Sequence, residues 1–219
     1  MLVKPVFDGL QAQSYYYGAT GEGRRGNMDN PPISRDEQEK LLRWVRATIE
    51  AAVRGERPEE IPEVEVSEGL RALRGVFVTL KKQGGLRGCI GKMDFERPLW
   101  TNAMDAAVAS ALEDSRFSPV TPAELDEIAI EISILEQPEE LPEPGGFDVR
   151  RHGIIVQKGW RHALLLPKVA QEQDWDAAKT LEMVCEKAGL PMDAWRDPAA
   201  RLQVFTAFDF SEEGGGDVD

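Results

Sequence analysis

Apolar positions return along this chain in two different rhythms. Leu41, Leu42, Val45, Ile49, Ala52 and Val53 recur at helical spacing. Ser34 and Glu37 form a capping box ahead of them, and Gly55 supplies a stop behind, so a first helix is predicted between Ser34 and Gly55. Glu59 to Glu65, beside Pro58 and Pro62, reads as a linker. The period then drops to two. Val76, Val78 and Leu80 alternate with Phe77, Thr79 and Lys81, which predicts a strand. Gly84-Gly85 turns it into a second extended segment, Leu86 to Gly91, giving a hairpin. A second helix opens at Pro98, a favoured first helical residue, with Trp100, Ala103, Met104, Ala107, Val108 and Ala111 as its apolar stripe. Thr121 to Glu124 carries another capping signal, with room for one turn only. Ile128, Ile130, Ile132 and Ile134 alternate strictly and predict the clearest strand of the chain.

Gln137 to Gly146 holds three prolines and two glycines and reads as a long loop. Gly153 to Gln157 and Trp160 to Leu166 form a second hairpin around Lys158-Gly159, ended by Pro167. A helix follows from about Asp176 to Ala188, with Ala177, Leu181, Val184, Cys185 and Ala188 on one side and Gly189 as its stop. Leu202, Val204, Thr206, Phe208 and Phe210 alternate in a single last strand. Hairpins followed by helices, twice over, predict an α+β fold, mostly antiparallel, with flanking helices. Residues 1–33 show no period and read as a leader or a tyrosine-bearing arm; 34–210 reads as the folded domain and 211–219 as a mobile acidic tail.

The chain has 219 residues and a net charge of −13, from 39 acidic and 26 basic residues. That balance argues against docking on nucleic acid or on anionic membrane, both of which need a positive footprint. No run of 18 apolar residues offers a membrane span. Two cysteines, Cys89 and Cys185, are too few for a disulfide framework, and a reducing cytoplasm is the expected setting. Walker, GxGxxG, HExxH, CxxC and nucleophile-elbow patterns are all missing from the sequence, and no cofactor is predicted.

The chemistry concentrates in Leu86-Arg87-Gly88-Cys89-Ile90-Gly91. On an extended strand Arg87 and Cys89 share one face, roughly 6.5–7 Å apart. A guanidinium beside a thiol favours the thiolate and attracts an anion, and Gly88 and Gly91 let another backbone or a ligand come close. Cys89 is therefore the candidate nucleophile and the more reactive of the two cysteines, provided that this face is open. The competing reading is a small core residue packed between glycines. Arg87 cannot accept the thiol proton, so a base would have to come from elsewhere.

Leu86 to Gly91 resembles the signature of the AMMECR family, also called AmmeMemoRadiSam system protein A. Asp114-Ser115-Arg116-Phe117-Ser118-Pro119 is similar to that family's Asp-Pro-Arg-Phe-x-Pro segment, with Ser115 in place of Pro. Glu131 to Leu135, Leu165 to Val169 (with Lys168 in place of Gln), Trp175-Asp176 and Cys185 to Leu190 follow in the family's order. The resemblance covers about residues 36–210. It implies a main domain and a smaller subdomain around a cleft. The system name implies a shared pathway with a Memo-type protein and a radical-SAM protein, acting on a small molecule.

His152 and His162 are the only histidines and have no ligand-spaced partner, so no metal site is predicted. Glu131 interrupts an apolar strand. If covered it must be paired, with Arg87 or Arg116 as partners, and it reads either as a group lining a site or as a structural ion pair. Arg116 is either a ligand group or the tie that holds its loop to a carboxylate. Trp160, Trp175 and Trp195 read as packing residues.

Two functional readings follow, with nucleic-acid binding a third that the charge disfavours. One is a small-molecule-binding or catalytic domain built on Cys89 with Arg87, Gly88, Gly91, Arg116 and Glu131. The other is a non-catalytic adaptor that recognises a partner protein. Whichever holds, the charge predicts no affinity for generic duplex DNA or single-stranded RNA at physiological salt. A salt-sensitive mobility shift at submicromolar protein would contradict it.

Overall fold

A computed structural model describes residues 31–212. The expectations for residues 1–30 and 213–219 lie outside the described residues. Two compact units emerge: Pro32–Ile134 with Phe210–Glu212, and Leu135–Asp209. The chain builds two antiparallel four-stranded sheets with flanking helices, the predicted α+β class.

In the first unit, helix α1 (Arg35–Arg54) starts at the capping box. The Ser34 hydroxyl accepts from the Glu37 amide, and the Glu37 carboxylate accepts from the Ser34 amide. It ends at Gly55, whose φ of 72° is left-handed. A 3-10 turn (Glu63–Glu65) ends the segment expected to be linker, and a single helical turn, α2 (Glu68–Arg71), follows it. Strands β1 (Gly75–Lys82) and β2 (Gly85–Lys92) pair antiparallel, with Val78 opposite Ile90 and Thr79 opposite Cys89. Gln83 and Gly84 both take positive φ at the turn, as a tight hairpin requires. Helix α3 (Leu99–Leu112) and a capped 3-10 turn (Pro122–Glu127) lead into β3 (Ile128–Leu135). The sheet order is β2-β1-β3-β8, with β8 at Ala207–Ser211. Val76, Val78, Leu80 and the four isoleucines of β3 pack with α1 and α3 into one core. Ile33 joins it at 2% exposure, so the folded domain begins before residue 34.

The second unit holds β4 (Glu139–Glu140), β5 (Gly153–Lys158), β6 (Arg161–Leu165), α4 (Pro167–Glu172), α5 (Ala177–Lys187) and β7 (Arg201–Phe205). Its sheet order is β4-β7-β5-β6. Ile154, Val156, Leu165, Leu181, Val184, Cys185 and Leu202 form a separate core. Asp176 caps α5 by accepting from the Lys179 amide at 2.7 Å.

Four expectations are corrected. The alternation from Leu202 to Phe210 is not one strand: the ladder breaks at Thr206, and β7 and β8 belong to different sheets. Period two reports which side chains are covered, not which partner covers them. Pro167 does end its strand, but it also opens α4, as proline at a first helical position can. Trp160 is not a packing residue. It stands 83% exposed at the β5–β6 turn, with the Arg161 guanidinium 5.2 Å over its ring, whereas Trp175 and Trp195 pack on the second core. The tail does not begin at 211, because Ser211 ends β8 and Glu212 is held in place. Arg46 donates to the Glu212 carboxylate and to the carbonyls of Leu125 and Ile128, and Glu212 accepts from the Ile130 amide at 3.0 Å.

Candidate functional site around Cys89

β2 is an edge strand, so half of its backbone groups face away from β1. At Cys89 those groups meet side chains instead of a neighbouring strand. The Cys89 amide donates to Asp114 Oδ2 at 2.8 Å, and the Cys89 carbonyl accepts from Arg116 Nη2 at 3.1 Å. Asp114 and Arg116 are themselves joined, Arg116 Nε lying 2.8 Å from Asp114 Oδ1. The ion pair thus completes the ladder at one residue. Burial pushes the Asp114 carboxyl up, but the Arg116 fork and the Cys89 N–H overcome it and hold its pKa below the usual range. Arg116 therefore takes its second predicted role, as the tie between its loop and a carboxylate.

The face of β2 toward α3 is closed by Gly88. A Cβ there would lie 2.2 Å from the Ser110 carbonyl oxygen, so the helix backbone occupies the space that a side chain would need. Ser110 also reaches the ladder. Its hydroxyl donates to the Val78 carbonyl at 2.8 Å and accepts from the Ile90 amide at 2.9 Å. On the opposite face a Cβ at Gly91 would strike the Phe77 ring at 2.4 Å. The two glycines admit a helix backbone and an aromatic ring, both from this chain.

Cys89 is 5% exposed, and Sγ accepts from the Thr79 hydroxyl at 3.3 Å. The open face assumed for its reactivity is not found. Cys185 is wholly buried on α5, and burial pushes its thiol pKa up. Arg87 is half-buried and forked by Glu124, with Nε to Oε1 at 2.9 Å and Nη2 to Oε2 at 3.1 Å. That pairing, with the Thr121 N–H, holds the Glu124 carboxyl far below its usual range. Phe117 lies against both guanidiniums, with Arg87 Cζ at 5.9 Å and Arg116 Cζ at 5.5 Å from its centroid.

Glu131 pairs with a lysine that the sequence did not point to. Its bond is to Lys81 Nζ at 2.9 Å, from the neighbouring strand, and both arginines are committed to other carboxylates. His152 Nδ1 accepts from the Asp148 amide, and His162 stands exposed on β6. Among the described residues no three His, Cys, Asp or Glu side chains gather as a metal site would require. The structure thus joins Arg87, Cys89 and Arg116 through Glu124, Phe117 and Asp114. Asp114 and Phe117 belong to the same Asp114–Pro119 segment as Arg116. Glu124 showed only as a helix cap, and it keeps that job, since Oε2 also accepts from the Thr121 amide at 3.0 Å.

An edge-strand hairpin clamped by an Asp–Arg pair, in an α+β chain with two antiparallel sheets, defines the class of protein. The family model described as AMMECR1 matches residues 42–210, and the chain belongs to that family. A protein of Methanothermobacter thermautotrophicus is 43% identical over 197 residues, covering 85% of this chain and 100% of its own length. Protein TK0174 of Thermococcus kodakarensis is 43% identical, covering 80% of this chain and 90% of its own. The crystal structure of uncharacterized protein PH0010 from Pyrococcus horikoshii superposes with a TM-score of 0.78 at 38% identity, covering 84% of this chain and 95% of that one. No helix among the described residues is long and apolar enough to cross a membrane.

Two outcomes follow. Gly88→Ala drives a methyl into helix backbone that a rotamer change cannot move aside, so it should cost about 1–3 kcal/mol in denaturant unfolding; an unchanged midpoint would show that α3 can yield. Glu124 has a depressed folded pKa, so its contribution is present above the unfolded carboxyl value of about 4.3 and is lost as pH falls. Glu124→Gln should therefore flatten the decline of stability between about pH 5 and 3, and an equally steep decline in both proteins would contradict the assignment.

Proposed function

We propose that this domain binds a small molecule without covalent chemistry, with Arg87 as the ligand-facing group and Cys89 as part of the frame. The carrying observation is the surroundings of the thiol. Its neighbours are a hydroxyl that donates to it, the Arg116 guanidinium, which cannot accept a proton, and a carboxylate already occupied by N–H donors and depressed in pKa. A nucleophilic cysteine needs a base and access; this one is buried and has no free acceptor among its recorded contacts. Arg87, by contrast, is locked by Glu124 through Nε and Nη2, which leaves Nη1 outside the fork on a side chain already fixed in direction. A preorganised donor loses little entropy on binding. In the pathway that the family resemblance implies, the ligand would be a small molecule shared with Memo-type and radical-SAM proteins.

The adaptor reading rests on one observation, Trp160 at 83% exposure on a hairpin tip, since tryptophan is enriched among the residues that anchor interfaces.

A thermal-shift screen of small carboxylates and amides against wild type, Arg87→Ala, Arg87→Lys and Cys89→Ser tests the proposal. Compounds that raise Tm in wild type should do so in Cys89→Ser, lose the effect in Arg87→Ala and keep part of it in Arg87→Lys. Alkylation of the native chain should leave Cys89 and Cys185 both unlabelled until unfolding. A ligand adduct on Cys89, or fast native labelling there, would overturn the non-covalent assignment.

A further inference from the structure

The second unit contains a pocket of about 270 Å³ that the signature strand does not line. It lies just under the ~300 Å³ at which drug-sized sites begin. Its polar lining comes from three places: Arg150 and Arg151 on the turn before β5, Lys168 and Gln171 on α4, and Thr206 with Asp209 at the start of β8. Three cations therefore face one carboxylate, in a chain whose net charge is −13. Where positive charge is scarce, its local excess marks a place built for negative charge.

The cations are held, not merely nearby. Asp148 fixes the turn, its Oδ1 accepting from the Arg150 amide at 3.0 Å and its carbonyl from the Arg151 and His152 amides at 3.1 and 2.8 Å. Gln171 ties α4 to that turn, Nε2 donating to the Arg150 carbonyl at 2.9 Å. Lys168 keeps only 13% of its side chain exposed and lies 3.3 Å from Asp209 Oδ1. Asp209 thus answers one of the three charges. The guanidiniums of Arg150 and Arg151 make no ion pair or hydrogen bond with another described residue. Two forked donors from adjacent residues suit an oxyanion with several oxygens in fixed geometry. Thr206 and Gln171 supply neutral groups at the wall.

We propose that this pocket binds a small doubly charged oxyanion, of the phosphate monoester class. Arg150 and Arg151 would fork its oxygens, Lys168 would add charge from the partly desolvated wall, and Asp209 would keep the empty pocket from holding three uncompensated cations. This site stands apart from the reading of Arg87 above.

Calorimetric titration of the full chain at constant ionic strength tests it, with inorganic phosphate, methyl phosphate and succinate as probes. Both phosphates should bind, more weakly as salt is raised. Arg150→Ala/Arg151→Ala should lose about tenfold or more in affinity, since a charge-assisted hydrogen bond carries at least that factor. Arg150→Lys/Arg151→Lys should fall between, keeping charge but not the fork. Both side chains are exposed, so these variants should melt as wild type does, and a second variant, Lys168→Gln, should weaken binding independently. Arg87→Ala should leave phosphate affinity unchanged, which keeps this proposal separable from the one above. Equal affinity in wild type and the double alanine variant, no heat with either phosphate at millimolar concentration, or succinate binding in place of phosphate would overturn it.

Discussion

The first unit depends on how an edge strand is closed. β2 offers the Cys89 N–H and C=O to the side away from β1, and unpaired backbone groups there would invite another chain or stay unsatisfied. Asp114 and Arg116 take both groups at once. The arrangement works because the two residues lie just after α3, so the helix delivers them to the edge. It delivers them only if it packs at backbone distance, and that distance exists because residue 88 has no Cβ. Gly88, Ser110, Asp114, Arg116 and Cys89 form one dependency, in which each contact requires the previous one. Asp114 is 6% exposed. Removing its partner would leave a buried carboxylate without compensation, the costly way to break such a pair, at about 3–5 kcal/mol.

Charge is distributed with the same economy. Along the hairpin three cations meet carboxylates: Lys81 with Glu131, Lys82 with Glu124 and Glu127, Arg87 with Glu124. Pairs on an exposed surface contribute little, but Arg87 and Glu124 are at most 18% exposed and fix each other's direction. The turn before β5 follows the opposite rule, holding two arginines together by backbone bonds to Asp148 and leaving their heads to the pocket.

The main elements could be read from the sequence because their signals are local. The Ser34–Glu37 box, the isoleucine alternation of β3 and the Gly84 turn each need only a few neighbours to be decided, and each stands where expected. The short elements α2, α4 and β4 escaped because one helical turn or two paired residues carry no period to detect. The break at Thr206 escaped because it depends on which sheet each half joins, a long-range choice. The site shows the same division. Arg87, Cys89 and Arg116 carried their chemistry in their identities. Glu124 as the partner of Arg87, and Lys81 as the partner of Glu131, are meetings across 37 and 50 residues, and no spacing rule predicts them.

The signature strand shows why a glycine-flanked cysteine can be read in two ways. Glycine in a strand reports that something comes close, and nothing in the residue says whether that is a ligand or the chain itself. At Gly88 it is the Ser110 carbonyl, and at Gly91 the Phe77 ring. Arginine beside cysteine is equally two-sided. Its charge would favour a thiolate if both heads shared one open face, but the Glu124 fork holds Arg87, and Cys89 turns its thiol to the Thr79 hydroxyl. The composition that suggested a nucleophile is also what a tightly clamped edge strand demands: small residues where helix and ring approach, a small apolar thiol beneath, and a long cation that can reach a carboxylate on the next loop. What separates the two readings is access, and Cys89 is 5% exposed with its thiol against the Thr79 hydroxyl.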